Sequence, residues 1–86
     1  MDRAATVSAV EASGVVAVIR LSDARTLRAV VDALCAGGVR ALEVTMTVPR
    51  AVERIAELAP ALPPEAVLGA GTVLDAATAR AAVTAG

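Results

Sequence analysis

The stretch Val39-Arg40-Ala41-Leu42-Glu43-Val44-Thr45 decides how this chain is read. It has the pattern of a strand, and near its end a lone glutamate is set among apolar neighbours. Period-two counting puts Ala41, Glu43 and Thr45 on one face, with Leu42 and Val44 on the other. A carboxylate in that setting is expensive to bury unless some chemistry uses it. Just before the strand, Gly37-Gly38 ends a helix by supplying a left-handed cap at little steric cost. Just after it, Pro49 fits the first turn of the next helix, with Val52, Ile55 and Ala59 inward and Arg50, Glu53, Arg54 and Glu57 outward.

The same beat runs in both directions from this strand. Upstream, residues 3–12 read as a short lead-in helix stopped by Ser13-Gly14, and Val15-Val16-Ala17-Val18-Ile19 is a continuous run that predicts a strand buried on both faces. Ser22-Asp23 offers N-caps for a helix whose Leu27, Val30, Val31 and Leu34 share one face. Downstream, Pro60 to Pro64 break the second of these helices. Ala66-Val67-Leu68-Gly69-Ala70 predicts a third strand, Gly71-Thr72 a turn, and Asp75 the cap of a last helix reaching Gly86. The order is β-α-β-α-β-α after the lead-in helix, with strands starting roughly 25 residues apart, and this predicts a parallel sheet.

Two architectures fit that order: a doubly wound open sheet, or the first part of a (β/α)₈ barrel. Arg20, Glu43, Thr45 and Thr72 all fall at the carboxyl ends of successive strands, where both sheet types place their ligands. If the Leu42/Val44 face meets the helices, Glu43 points into a barrel. The open-sheet dinucleotide reading fails on its own motif, because Arg20-Leu21-Ser22 follows the first strand where a glycine-rich loop is required. Gly69-Ala70-Gly71-Thr72 is too short to mark a phosphate site alone. The expected fold class is therefore α/β, the N-terminal part of a TIM barrel. Residues 1–86 form one incomplete domain, a lead-in helix plus three β-α units, with the C-terminal remainder absent.

Composition excludes several classes. The 86 residues carry a formal charge of −1 with no aromatic residue, so neither a nucleic-acid surface nor an anionic membrane surface is expected. No stretch is apolar for long enough to span a bilayer, and the N-terminus lacks a secretory pattern. The single cysteine, Cys35, lies in a predicted helix and reads as a small core residue, which makes a reducing, cytoplasmic setting the expectation. With no histidine and one cysteine there is no metal cluster, and no cofactor is expected.

Four segments, in order and at matching spacing, resemble one known family. They are Val18-Ile19-Arg20, Gly37-Gly38-Val39, Leu42-Glu43-Val44-Thr45-Met46-Thr47-Val48-Pro49 and Gly69-Ala70-Gly71-Thr72-Val73-Leu74. Together they are similar to the 2-keto-3-deoxy-6-phosphogluconate (KDPG) and 4-hydroxy-2-oxoglutarate (KHG) aldolases. The resemblance implies a (β/α)₈ barrel, a homotrimer, and a class I aldolase releasing pyruvate and an aldehyde from a small keto acid. It gives Glu43 the catalytic role of shuttling protons during carbinolamine formation and carbon–carbon cleavage. The plainer alternative is an ion pair of Glu43 with Arg20 or Arg40.

The same resemblance makes Arg20 the partner of the pyruvyl carboxylate, a role suited to a bidentate cation; its alternative is a solvated strand-end arginine. Some members instead carry an arginine four residues after the glutamate, where this chain has Thr47. Thr47 and Thr45 are weaker substrate-binding candidates, and Thr72 either hydrogen-bonds the substrate carboxylate or is a turn residue capping the next helix. Arg40, Arg50 and Arg54 read as surface charges.

A class I aldolase needs a lysine amine for its Schiff base, and all eight basic residues here are arginine. The chain alone is therefore expected to be inactive, with the lysine on a later strand. Two other readings stand beside this one. The first is part of another phosphosugar barrel enzyme, such as a sugar-phosphate isomerase or a thiamin-phosphate synthase-like protein. The second is a non-catalytic module whose exposed strand edges pair with a second copy or a complementary half.

Overall fold

A computed structural model describes residues 2–86. Helix α1 (Arg3–Ser13) leads into β1 (Val16–Ile19); a 3₁₀ turn (Ala24–Thr26) opens α2 (Leu27–Ala36), followed by β2 (Ala41–Thr45). Helix α3 (Ala51–Leu58) runs into a second 3₁₀ turn (Ala59–Ala61), then come β3 (Val67–Gly71) and α4 (Ala76–Ala85). The three strands form one parallel sheet in the order β1-β2-β3, with Val18 beside Glu43 and Glu43 beside Gly69. The observed fold is thus α/β with a sheet built in chain order, compatible with part of a β/α barrel.

The two sheet faces are covered to different extents. Leu42 and Val44 of β2 are buried with Ile19 of β1, Leu27 and Val31 of α2, and Ala51, Ile55 and Leu58 of α3. This one apolar layer between sheet and helices is the core. On the opposite face Ala41 and Thr45 of β2 are also buried, but Val16 of β1 is 46% exposed and Val18 is 53% exposed. The expectation that β1 is buried on both faces is therefore corrected. Its helix-facing residues Ala17 and Ile19 are covered, whereas Val16 and Val18 stand about half exposed. Helix α1 touches β2 and β3, and Arg40 N–H donates to the Ser13 hydroxyl at 3.3 Å.

Local signals explain most boundaries. The Asp2 carboxylate caps α1 by accepting from Ala5 N–H at 2.7 Å, and Gly14 at φ 75° closes it. Asp23 caps the turn before α2, and Asp75 caps α4. In the Gly37-Gly38 pair the left-handed residue is Gly38, at φ 102°, while Gly37 stays in the helical region. Strand β2 begins at Ala41, later than expected, because Val39 N–H is spent on the Leu34 carbonyl at 3.0 Å, closing α2.

Helix α3 departs from expectation at its start and on its buried face. It begins at Ala51, beyond Pro49, because Val48 is buried in the core and Arg50 turns through φ 55° before the helix can run. Its buried residues are Ala51, Ile55 and Leu58, with Val52 and Ala59 only half-buried. That is the i, i+4, i+7 stripe one residue round from the expected one. Cys35 is half-buried against the core, and Val30 and Leu34 pack beside it.

Candidate functional site

A parallel sheet brings the ends of all its strands to one edge. Ile19 ends β1 and is followed by Arg20; Thr45 ends β2 and is followed by Met46-Thr47; Gly71 ends β3 and is followed by Thr72. The register ties Ile19 to Val44 and Thr45 to Gly71, so these residues share one rim. Met46 N–H extends the ladder by one step, donating to the Gly71 carbonyl at 2.9 Å.

Glu43 sits within β2 on the face away from the helices, as period-two counting predicts. It is half-buried, and its side chain leans toward the rim across Gly71: a Cβ placed on that glycine would stand 2.6 Å from Glu43 Cδ. Glu43 belongs to none of the ion pairs among the described residues. The pairings that could have made it a structural charge are not formed. Arg40 is turned toward the opposite end of the sheet, where its Nε meets Glu65 at 3.4 Å and its Nη1 donates to the Cys35 carbonyl at 2.7 Å. Arg20 is exposed at the rim.

Two of the expected surface arginines are corrected. The Arg40 side chain is only 34% exposed, because it closes the carbonyl end of α2 while bridging to Glu65. Arg54 is 27% exposed, held by Glu57 at 3.0 Å, with its Nε buried and unpaired. Arg50 is exposed.

The rim also contains a hydroxyl pair that period and propensity do not single out. Thr45 is fully buried; its hydroxyl lies 3.4 Å from the Ile19 carbonyl and shares a 2.6 Å hydrogen bond with the Thr47 hydroxyl. Thr45 thereby joins the end of β1 to the exposed Thr47. The sequence signal was the Thr-x-Thr spacing at a strand end, which is too common to carry this reading alone.

Thr72 is exposed and has φ 58°, a left-handed conformation unusual for a β-branched residue. It does not cap α4. That task falls to Asp75, whose carboxylate accepts from Thr78 N–H at 2.7 Å and from the Thr78 hydroxyl at 3.0 Å. A separate hollow of about 440 Å³ lies on the helix side of β3, against Ile55, Leu68, Ala70, Ala79 and Ala82, and is not part of this rim. Among the described residues no group of His, Cys, Asp or Glu is arranged to hold a metal ion, and no helix is long and apolar enough to cross a membrane.

The rim thus gathers the Glu43 carboxylate, the Arg20 guanidinium and the hydroxyls of Thr45, Thr47 and Thr72, and among the described residues no lysine amine. It belongs to an α/β protein with polar groups gathered at the carboxyl ends of parallel strands, the placement that β/α enzymes use for chemistry. Residues 7–86 match the family described as "Aldolase: KDPG and KHG aldolase", and the chain belongs to that family of aldolases. A comparison with curated proteins returned no match.

Proposed function

We propose that this chain supplies the first three β-α units of a class I aldolase barrel. That aldolase cleaves 2-keto-3-deoxy-6-phosphogluconate or 4-hydroxy-2-oxoglutarate to pyruvate and an aldehyde. The observation that carries the reading is Glu43. It is a half-buried carboxylate without an ion-pair partner, facing away from the helices beside the strand ends, in a chain of this aldolase family. Such a carboxylate can take a proton from the attacking amine's adduct, pass it to a departing hydroxyl, and later accept the proton released on carbon–carbon cleavage. Arg20 binds the keto acid's carboxylate, with Thr47 and Thr72 as hydrogen-bonding partners. The complete barrel assembles as a homotrimer in the cytoplasm.

The reaction needs a lysine amine, and these 86 residues contain none. The lysine is supplied by a later strand of the barrel, and the 86-residue chain is inactive by itself. The test is pyruvate release from either substrate, followed with a coupled lactate dehydrogenase reaction. The isolated chain gives none, and addition of the remaining β-α units from the same reading frame gives release. Release by the isolated chain would overturn the lysine-dependent route.

A second reading is favoured by the open face of the sheet. Val16 and Val18 of β1 are about half exposed, and β1 and β3 each pair on one side only. On this reading the chain is a non-catalytic half-barrel that pairs with a second copy. A concentration-dependent dimer in sedimentation equilibrium, with no gain of pyruvate release on adding the other β-α units, would favour it over the aldolase.

A further inference from the structure

Two glycines of β3, Gly69 and Gly71, lie on the same sheet face as Glu43, and they are not equivalent. Gly69 is the register partner of Glu43, yet a Cβ there would meet nothing nearer than the Leu42 carbonyl at 3.8 Å, an ordinary contact. Gly71 lies two residues nearer the rim. A Cβ there would overlap Glu43 Oε1, stand 2.6 Å from Cδ and lie 3.1 Å from Cγ. The Glu43 side chain therefore does not stand upright over its own partner. It slants diagonally along the sheet and fills the space that Gly71 leaves free.

Conformation does not explain a glycine at position 71, because its φ lies outside the left-handed region. A glycine within a strand also gives up side-chain packing and ordering entropy, which marks a place where another group approaches closely. Here that group is the carboxylate of Glu43.

We propose that Gly71 is a positioning residue, which sets the Glu43 carboxylate at the rim by leaving the space over the end of β3 open. The proposal gains its catalytic meaning from the aldolase reading, although the placement itself is a matter of geometry. The three atoms nearest to an alanine Cβ at 71 all belong to the flexible Glu43 side chain. Glu43 swings to another rotamer while the strand stays in place, so the fold persists and the carboxylate is moved off the rim.

The experiment is carbon-edited NMR on the 86-residue chain, with Gly71→Ala compared against Gly69→Ala. In the wild type the Glu43 γ-protons give cross-peaks to the Gly71 α-protons. Gly71→Ala removes the rim contact and shifts the Glu43 carboxyl carbon signal, whereas Gly69→Ala leaves both unchanged. Amide spectra of the two variants stay alike outside β2 and β3, which separates displacement of the carboxylate from general damage to the fold. Absence of the wild-type cross-peak overturns the proposal even if neither variant folds, and so does an unmoved Glu43 signal in a folded Gly71→Ala. The aldolase reading fails separately: no pyruvate release when the remaining β-α units are added counts against it, while the cross-peak to Gly71 still supports the placement.

Discussion

Alanine at Leu42 and alanine at Val18 should have very different effects, although the two residues lie on neighbouring strands. Leu42 is 2% exposed in the layer between β2 and the helices, and Val18 is 53% exposed on the other face. Truncating a buried leucine costs about 2–5 kcal/mol through lost transfer energy and the cavity left behind. Removing two methyl groups from full burial costs about 1.6 kcal/mol at roughly 0.8 kcal/mol each, and with half of Val18 already in water the loss is under about 1 kcal/mol. Far-UV circular dichroism during urea titration is the assay, since the chain has no aromatic residue to report by fluorescence. With a slope of about 1 kcal/mol/M for a small domain, Leu42→Ala lowers the midpoint by about 2 M or more and Val18→Ala by less than about 1 M. Equal effects in a monomer would refute the assignment of faces, and equal effects in a dimer would mean that Val16 and Val18 are covered in solution.

Arg50 holds a left-handed φ of 55° that glycine adopts without steric penalty, so Arg50→Gly raises the thermal midpoint by about 2–5 °C after its greater chain entropy is offset; a lowered midpoint contradicts this. Asp75 carries a pH dependence. The amide of Thr78, and then its hydroxyl, hold the Asp75 carboxyl below its ordinary 3.8. Its folded pKa is depressed, so its contribution is complete above the unfolded value and is lost as pH falls through the folded one. The midpoint gap between wild type and Asp75→Ala therefore narrows on acidification below 3.8, and a gap that widens there contradicts the cap.

The fold was legible where local chemistry and periodicity agreed. The strands, the α2 face of Leu27, Val30, Val31 and Leu34, and the Asp75 cap all follow from short-range patterns. The errors share a cause, which is dependence on distant partners. An apolar run such as Val15–Ile19 states that a strand is apolar but not what covers each face. Arg40 reads as a surface charge until Glu65 and the Cys35 carbonyl are brought to it. The late start of α3 follows from a left-handed Arg50 that no local residue preference announces. At the rim, period-two counting put Glu43 on the correct face, but its slant over Gly71 depends on the β2–β3 register. The link from Thr45 to the Ile19 carbonyl likewise requires β1 and β2 to be aligned.

Glu43→Gln in the proposed aldolase barrel, completed with the β-α units that follow in the reading frame, tests the proton-transfer role directly, with pyruvate release measured over a range of substrate concentrations. The substitution keeps the shape and removes the proton-carrying carboxylate. Proton transfer through Glu43 predicts that kcat falls by about 10²–10⁴-fold, with KM little changed. Turnover at the wild-type rate would show that Glu43 carries no proton in the reaction.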